Sequence, residues 1–126
     1  IEQGLRPDTI ATDMTIPGRN ESVFSMPEML TRFLALGFSI SDVIAMTTIN
    51  SARALGLEAE LGDLTPGRVA DISVLEAVSG DWTVSDVKGK RLKTDVAIRP
   101  SLTVRRGEVI PPDWGPHPWG FLPNQA

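Results

Sequence analysis

The sequence changes its hydrophobic period within the stretch Leu61-Gly62-Asp63-Leu64-Thr65-Pro66-Gly67-Arg68-Val69-Ala70-Asp71-Ile72. Before this stretch, residues 25–57 place apolar side chains at helical spacing. After it, residues 69–110 contain short β-prone runs separated by turns. We therefore place a boundary near Gly62, between a helical part and an antiparallel β-part.

The two glycines of this stretch have the spacing of a phosphate-binding loop. The lysine and the hydroxyl residue that should follow are absent, and no strand leads into the stretch. Pro66 also removes one of the backbone amides that a phosphate would bind. The stretch is therefore predicted to be a turn that enters a strand.

The first long helix is predicted by its capping residues. Ser25 can cap it, Pro27 lies in its first turn, and Glu28 stands where a capping box needs a carboxylate. Gly37 fits the position after the last turn. A broad apolar stripe indicates the buried face: Met26, Met29, Leu30, Phe33, Leu34 and Leu36.

Two further helices are predicted to follow. Ser39 and Asp42 repeat the capping pattern at the start of a second helix. Asn50 is predicted to cap a third, short helix over residues 51–55, which Gly56 closes.

The β-part carries a hairpin candidate at Arg106-Gly107, between residues 102–105 and 108–110. Other β-prone runs lie at residues 69–78, 82–84 and 86–87, and a turn follows at Lys88-Gly89. Residues 111–126 are rich in proline and contain the only histidine of the chain. This tail is predicted to be extended and docked, or disordered.

Composition excludes several classes of protein. The net charge of −4 argues against a nucleic-acid binder. Disulfides and thiolate zinc sites are excluded because the 126 residues contain no cysteine. No apolar run approaches the ~20 residues of a membrane span, and no signal peptide opens the chain. The default expectation is a cytoplasmic protein. Because the first residue is Ile1, we expect a truncated or processed chain.

Asp13 is the most suggestive candidate for chemistry. It ends the β-prone run of residues 8–13 and opens a loop. In a parallel α/β barrel, this end of a strand is where active sites lie. A carboxylate there can bind a metal ion or accept a proton. Without further context, however, a strand that ends in Asp more commonly forms a turn or a cap.

His117 has two interpretations. A single histidine without cysteines cannot build a zinc site alone, so a functional His117 would be donated to another site. The alternative is a tail residue that packs between the neighbouring tryptophans, Trp114 and Trp119.

Four ordered segments resemble the C-terminal portion of the amidohydrolase superfamily. Residues 8–13 are similar to its eighth barrel strand, and residues 26–37 to the following helix. Residues 45–57 are similar to a T-x-N-x-A-x-x-L-G-L segment, and residues 61–72 to the G-x-L-x-P-G-x-x-A-D return into a small β-domain. Two later segments, residues 80–87 and 99–107, resemble dihydroorotase-like deacetylases.

The resemblance implies a (β/α)8 barrel of the TIM type with a composite β-sandwich. Residues 1–61 would supply the last barrel strand and the following helices, residues 62–110 a segment of the sandwich, and residues 111–126 the tail. Such enzymes hold one or two divalent metals, usually zinc. Their ligands are an HxH pair on the first strand, often a carboxylated lysine, two further histidines, and the Asp of the final strand.

By position, Asp13 matches that final-strand Asp. Its implied roles are to ligate the metal and to accept the proton of the attacking water. Arg19 and Asn20 fall in the following loop, where such enzymes often contact substrate. The other ligands are missing, because one histidine cannot replace four. We therefore expect this chain alone to bind no metal and to be inactive.

The resulting hypothesis is a C-terminal fragment of a metal-dependent amidohydrolase or deacetylase. The whole enzyme would hydrolyse a C–N amide bond, or an ester bond, of a small molecule. Its partner would be the missing N-terminal portion of the barrel, or another copy of the chain. The alternative is a non-catalytic interaction or structural domain derived from the same family, with the tail as a docking segment.

Overall fold

The computed structural model describes residues 4–16, 24–86 and 88–126. Within these residues the helices are α1 (Met26–Ala35), α2 (Ile40–Thr47) and α3 (Ile49–Ala54). The strands are β1 (Ile72–Ser85), β2 (Arg91–Arg105), β3 (Glu108–Ile110) and β4 (Asn124–Gln125). The chain is thus a small α/β structure, helical before the predicted boundary and antiparallel after it. None of the helices in the described part is long and apolar enough to cross a membrane.

Helix α1 begins and ends as predicted. The Ser25 hydroxyl accepts a hydrogen bond from the Glu28 amide at 3.3 Å, and Pro27 occupies the first turn. Gly37 follows the helix with a φ of +91°, a conformation that glycine adopts without steric cost. Leu30 is buried, and Met29, Phe33 and Leu34 pack against the core.

Helix α2 is capped as predicted, but α3 is not. The Ser39 hydroxyl accepts from the Asp42 amide at 3.1 Å. Helix α3 begins at Ile49, after Thr48, which makes no side-chain capping bond. The prediction of Asn50 as its cap was therefore wrong. Asn50 lies inside α3, and its side-chain amide donates to the backbone carbonyl of Asp8 at 3.0 Å.

The strands form one antiparallel sheet in the order β3-β2-β1-β4. Strand β1 joins two runs that the sequence predicted separately, and its register with β2 shifts between Ser79 and Trp82. Such a shift lets one strand continue across a local irregularity. The described residues contain this single sheet, so the second layer of the predicted β-sandwich is not among them.

The predicted hairpin between β2 and β3 is confirmed. Arg106 and Gly107 both have positive φ, +49° and +86°, as a two-residue turn of this kind requires. The Asp71 carboxylate accepts from the Arg106 amide at 2.7 Å, and the Gly107 amide donates to the carbonyl of Ala70. The entry into β1 is therefore tied to this turn.

The connection between β1 and β2 is a turn that the Asp86 side chain stabilises. Its carboxylate accepts from the amides of Lys88 and Lys90, both at 2.8 Å. Residues 86–87 were predicted to be β-prone; Asp86 is not in a strand, and Val87 lies outside the described residues.

Residues 8–13 do not form a β-strand, contrary to the sequence prediction. A strand needs a neighbour to complete its backbone ladder. The described residues place helices beside this segment instead, and the Ile10 amide donates to the carbonyl of Met46 at 3.1 Å.

The core lies where α1 and α2 meet β2. Its buried members are Ile10, Leu30, Phe38, Val43, Met46 and Ile98. Thr31, which has no exposed surface, links the layers. Its hydroxyl donates to the carbonyl of Pro27 at 3.0 Å and accepts from the amide of Ile98 at 2.9 Å.

The tail, residues 111–126, docks on the body, one of the two predicted outcomes. Its strand β4 pairs with β1 at Trp82 and Thr83. The amide of Ala126 donates to the carbonyl of Asp81 at 2.8 Å, and Pro123 is buried.

Candidate functional site

The segment that leads to Asp13 is held in place at three points. The Arg6 guanidinium pairs with the Asp42 carboxylate at 3.1 Å. The Asp8 carbonyl accepts from Asn50, and the Ile10 amide donates to Met46 in α2. The Ile10 side chain is buried in the core. These contacts fix the path of the chain shortly before Asp13.

Asp13 itself is exposed and has a φ of +44°. Aspartate is one of the few residues with a side chain that is enriched in this left-handed region. An exposed carboxylate can accept hydrogen bonds or a proton, and it can bind a cation. The site residue that the sequence singled out therefore has a free path to solvent.

The described residues do not by themselves fit a metal ion. No group of three or more His, Cys, Asp or Glu side chains among them could hold one. A catalytic zinc site needs about three protein ligands in one place. Asp13 could supply one of them, and the rest would have to come from elsewhere.

Arg19 and Asn20, the predicted substrate-loop residues, lie outside the described residues. Their prediction stays a prediction.

His117 joins a buried cluster on α1. Its Nε2 lies 2.9 Å from Oε2 of Glu28, and the two side chains are 10% and 6% exposed. The other carboxylate oxygen of Glu28 accepts from Arg32 at 3.2 Å. The imidazole stacks on Trp119 with ring centroids 4.8 Å apart and contacts Phe24 at 4.7 Å. Packing within the chain is therefore the interpretation that the geometry favours, although only one tryptophan takes part.

Sequence reasoning missed the partner of His117. The spacing of Glu28 and Arg32 is that of a helical ion pair and could have been found. The contact between Glu28 and His117 spans 89 residues, so no local pattern indicates it.

A depression of about 310 Å³ lies between the sheet and the tail. The exposed ion pair of Glu76 and Arg99, at 2.7 Å, forms one wall, and residues 119–122 form the other. Asp13 does not line it, and none of its lining residues was predicted as a site residue.

The glycine-rich stretch forms a turn, as predicted. The Asp63 carboxylate accepts from the Thr65 amide at 3.0 Å and pairs with Arg68 at 3.2 Å. The hydrogen bond from Thr65 holds the pKa of Asp63 below its ordinary value, and the charge of Arg68 acts in the same direction. The Thr65 amide is therefore bound by a carboxylate of the chain itself, so this turn is not a phosphate-binding loop.

Comparison with known proteins places these features in a family. The profile of the amidohydrolase family matches residues 1–105. An imidazolonepropionase of Symbiobacterium thermophilum is 34% identical over 87 residues, which cover 68% of this chain and 20% of that protein. A deacetylase of Brucella anthropi is 27% identical over 110 residues, which cover 87% of this chain and 27% of that protein.

Two solved structures share the fold. An adenine deaminase superposes with a TM-score of 0.82 at 23% identity, over 88% of this chain and 30% of that one. A dihydroorotase superposes with a TM-score of 0.75 at 24% identity, over 87% of this chain and 29% of that one. The chain thus spans less than a third of each of these relatives. Since the family profile covers most of the sequence, the chain belongs to the amidohydrolase family.

Proposed function

We propose that this chain is the C-terminal part of a metal-dependent amidohydrolase that hydrolyses a C–N amide bond, or an ester bond, of a small molecule. One observation carries the proposal. The match extends over 87% of this chain but only 27% of the deacetylase, so most of such an enzyme has no counterpart here. The remaining barrel strands and the remaining ligands would be supplied by polypeptide outside this sequence.

In that enzyme, residues 1–61 would complete a (β/α)8 barrel. Residues 8–13 support this assignment because helices α2 and α3 hold them through Ile10 and Asn50. A neighbouring barrel strand would give residues 8–13 the ladder partner that they lack within the described part of the chain. Residues 62–110 would form part of a β-sandwich, whose second layer would come from the same missing polypeptide.

Asp13 would be the catalytic carboxylate of this chain. It would contribute one ligand to a divalent metal, zinc by family resemblance, and accept the proton of the attacking water. Its exposure and its position just beyond the anchored segment support this role. Arg19 and Asn20 would contact the substrate from the loop that follows.

The names of the relatives support a small-molecule substrate, and they differ in the kind of molecule. Their names include a deacetylase, an adenine deaminase and imidazolonepropionases. An N-acyl or O-acetyl compound is our first choice because residues 80–87 and 99–107 resemble the dihydroorotase-like deacetylases.

The test is made on the complete protein, with the missing N-terminal portion joined to or co-expressed with this chain. We expect bound metal by elemental analysis and hydrolysis of N-acyl substrates. Asp13→Asn keeps the shape of the side chain but removes its charge, and it should lower kcat by about a hundredfold or more. Asp8→Asn is the matched control, because Asp8 is exposed in the same segment and contacts Asn50 only through its carbonyl.

Two results would contradict the proposal. One is an assembled protein that holds no metal. The other is an Asp13→Asn variant as active as Asp8→Asn.

A non-catalytic interaction domain is the second candidate. It is favoured by the exposure of Trp114, of which 79% is accessible in the tail. Large aromatic side chains are common anchors at protein interfaces. Deleting residues 111–126 should then abolish partner capture, and unchanged capture would count against this function.

A further inference from the structure

The tail, residues 111–126, makes hydrogen bonds with the body at two separated points. Near its middle, His117 reaches Glu28 on α1. At its end, strand β4 pairs with only two residues of β1, and the amide of Ala126 reaches the carbonyl of Asp81. Between Ile110 and Gly115 the side chains are exposed. Between the two points, Phe121 and Leu122 are half-buried and Pro123 is buried, so the polar contacts are few but apolar packing accompanies them.

His117 is presented by a turn with its own internal structure. The amides and carbonyls of His117 and Gly120 exchange hydrogen bonds at 3.1 and 3.0 Å. The Trp119 indole donates to the carbonyl of Leu122 at 2.7 Å and stacks on the imidazole. Gly115 closes the turn: a Cβ there would lie 2.6 Å from the backbone of Gly120. The turn can thus move with the ring already oriented.

The contact made by this turn is the most buried polar contact of the tail. Glu28 is 5% exposed, and its carboxylate is shared between His117 and Arg32. Hydrogen bonds to a buried carboxylate are stronger than those between neutral groups. The two backbone pairs of β4, by contrast, lie at the rim of the sheet, where such a short strand frays easily.

We propose that the tail is a strap that opens as a unit, and that the contact between His117 and Glu28 is its latch. When the latch opens, the turn of residues 117–120 leaves α1 and β4 leaves β1. The edge of β1 at Trp82 and Thr83 then becomes accessible, and so does the sheet surface at Glu76 and Arg99 that faces residues 119–122 of the tail. This inference is independent of the proposed hydrolase function, because Asp13 takes no part in these contacts.

The test is hydrogen–deuterium exchange on the complete native protein, followed on separate peptides. His117→Leu removes the hydrogen-bonding ring nitrogen and puts an apolar side chain in its place. We expect amides throughout the tail, including residues 124–126, to exchange about tenfold faster or more. Peptides of α1 and β2, which share the Thr31–Ile98 hydrogen bond, should keep their protection. His117→Gln retains an amide donor and should restore part of the tail's protection.

Arg99→Gln is the matched control. It breaks an ion pair in the wall of the same depression without touching the latch, so the tail should keep its exchange rates. Faster exchange confined to the residues next to His117 would overturn the proposal, and so would equal acceleration in α1 and β2. If His117→Leu does not fold, His117→Ala, which also lacks a hydrogen-bonding group, decides: tail-selective acceleration supports the latch, and uniform or absent acceleration refutes it.

Discussion

At the scale of single residues, Ser39 controls both a helix start and the titration of a carboxylate. Its hydroxyl accepts from the amide of Asp42. Hydrogen bonding with Ser39 lowers the pKa of Asp42 below its ordinary value, and Arg6 adds a smaller effect of the same sign. Because the pKa is lower in the folded state, Asp42 stabilises the fold above its unfolded pKa. That contribution is lost as the pH falls through the folded pKa, in the acid range below about pH 4.

We predict that Ser39→Ala moves the pKa of Asp42 back towards its ordinary value. It should also lower the free energy of unfolding by about 1 kcal/mol, the usual effect of losing an N-cap. The pKa is followed by NMR titration of the carboxyl group, and stability by urea denaturation. Ser41→Ala changes an exposed serine of the same helix and serves as the control. An Asp42 that titrates identically in both variants would refute this account.

At this scale, the sequence predicted the roles of residues whose partners are close to them in the chain. Ser25, Ser39 and the pair Arg106-Gly107 act within a few positions, so their roles followed from local pattern. Asn50 was assigned wrongly because its partner, Asp8, lies 42 residues away. The identification of Asp13 rested on family resemblance, since a lone carboxylate has no pattern of its own.

At the scale of elements, α1 and β2 are joined by a buried hydroxyl. Thr31 uses its donor on the carbonyl of Pro27 and its acceptor on the amide of Ile98. Ile98 is itself buried, so water cannot replace the hydroxyl. One side chain thus satisfies a strand amide that faces a helix instead of another strand.

We predict that Thr31→Val, which keeps the shape of the side chain, lowers the free energy of unfolding by about 1–3 kcal/mol. The reason is that the Ile98 amide is left buried without an acceptor. Thr47→Val is the matched control, since Thr47 only donates to carbonyls of its own helix. Urea denaturation of both variants gives the comparison. Equal losses would show that the link between α1 and β2 adds nothing.

The elements that sequence reasoning missed depend on distant partners. Strand β4 exists because Asn124 meets Thr83, and two residues carry too little signal to predict a strand. Strand β1 continues through Gly80 and Asp81, which favour a turn, because Ser79 and Trp82 on either side of them both pair with β2. Residues 8–13 show the reverse case, in which a β-prone run lacks a neighbouring strand within the described part of the chain.

At the scale of the whole molecule, several large apolar side chains are exposed on the surface. Leu64 is 76% exposed and Leu5 is 73% exposed. Further exposed apolar side chains lie on the helices, at the end of α3 and on β3: Met26, Ile40, Ile44, Leu55, Val109 and Ile110. Single exposed apolar residues are normal, whereas contiguous exposed apolar surface is typical of surfaces that bind another polypeptide. Under the proposed function, the N-terminal portion of the enzyme would cover them.

The sequence could not show how the candidate site is completed, because the proposed site includes residues outside this sequence. Further ligands would reside on strands that this sequence does not contain, and the described residues hold no metal-binding group. The chain's single histidine, His117, contacts the Glu28 carboxylate through its Nε2. The family could therefore be predicted from sequence, while a complete site could not.

We predict that the chain alone self-associates and that its N-terminal portion replaces the self-contacts. Sedimentation velocity should show concentration-dependent assemblies of the chain, and a single species after co-expression. Leu64→Lys and Val109→Lys place charges on exposed apolar positions and should weaken self-association. Ser85→Lys adds the same charge at an exposed polar position of the sheet and should leave it unchanged. A chain that stays monomeric at high concentration and gains no thermal stability from the N-terminal portion would contradict the proposed missing partner, because a partner that binds only the folded state must raise its stability.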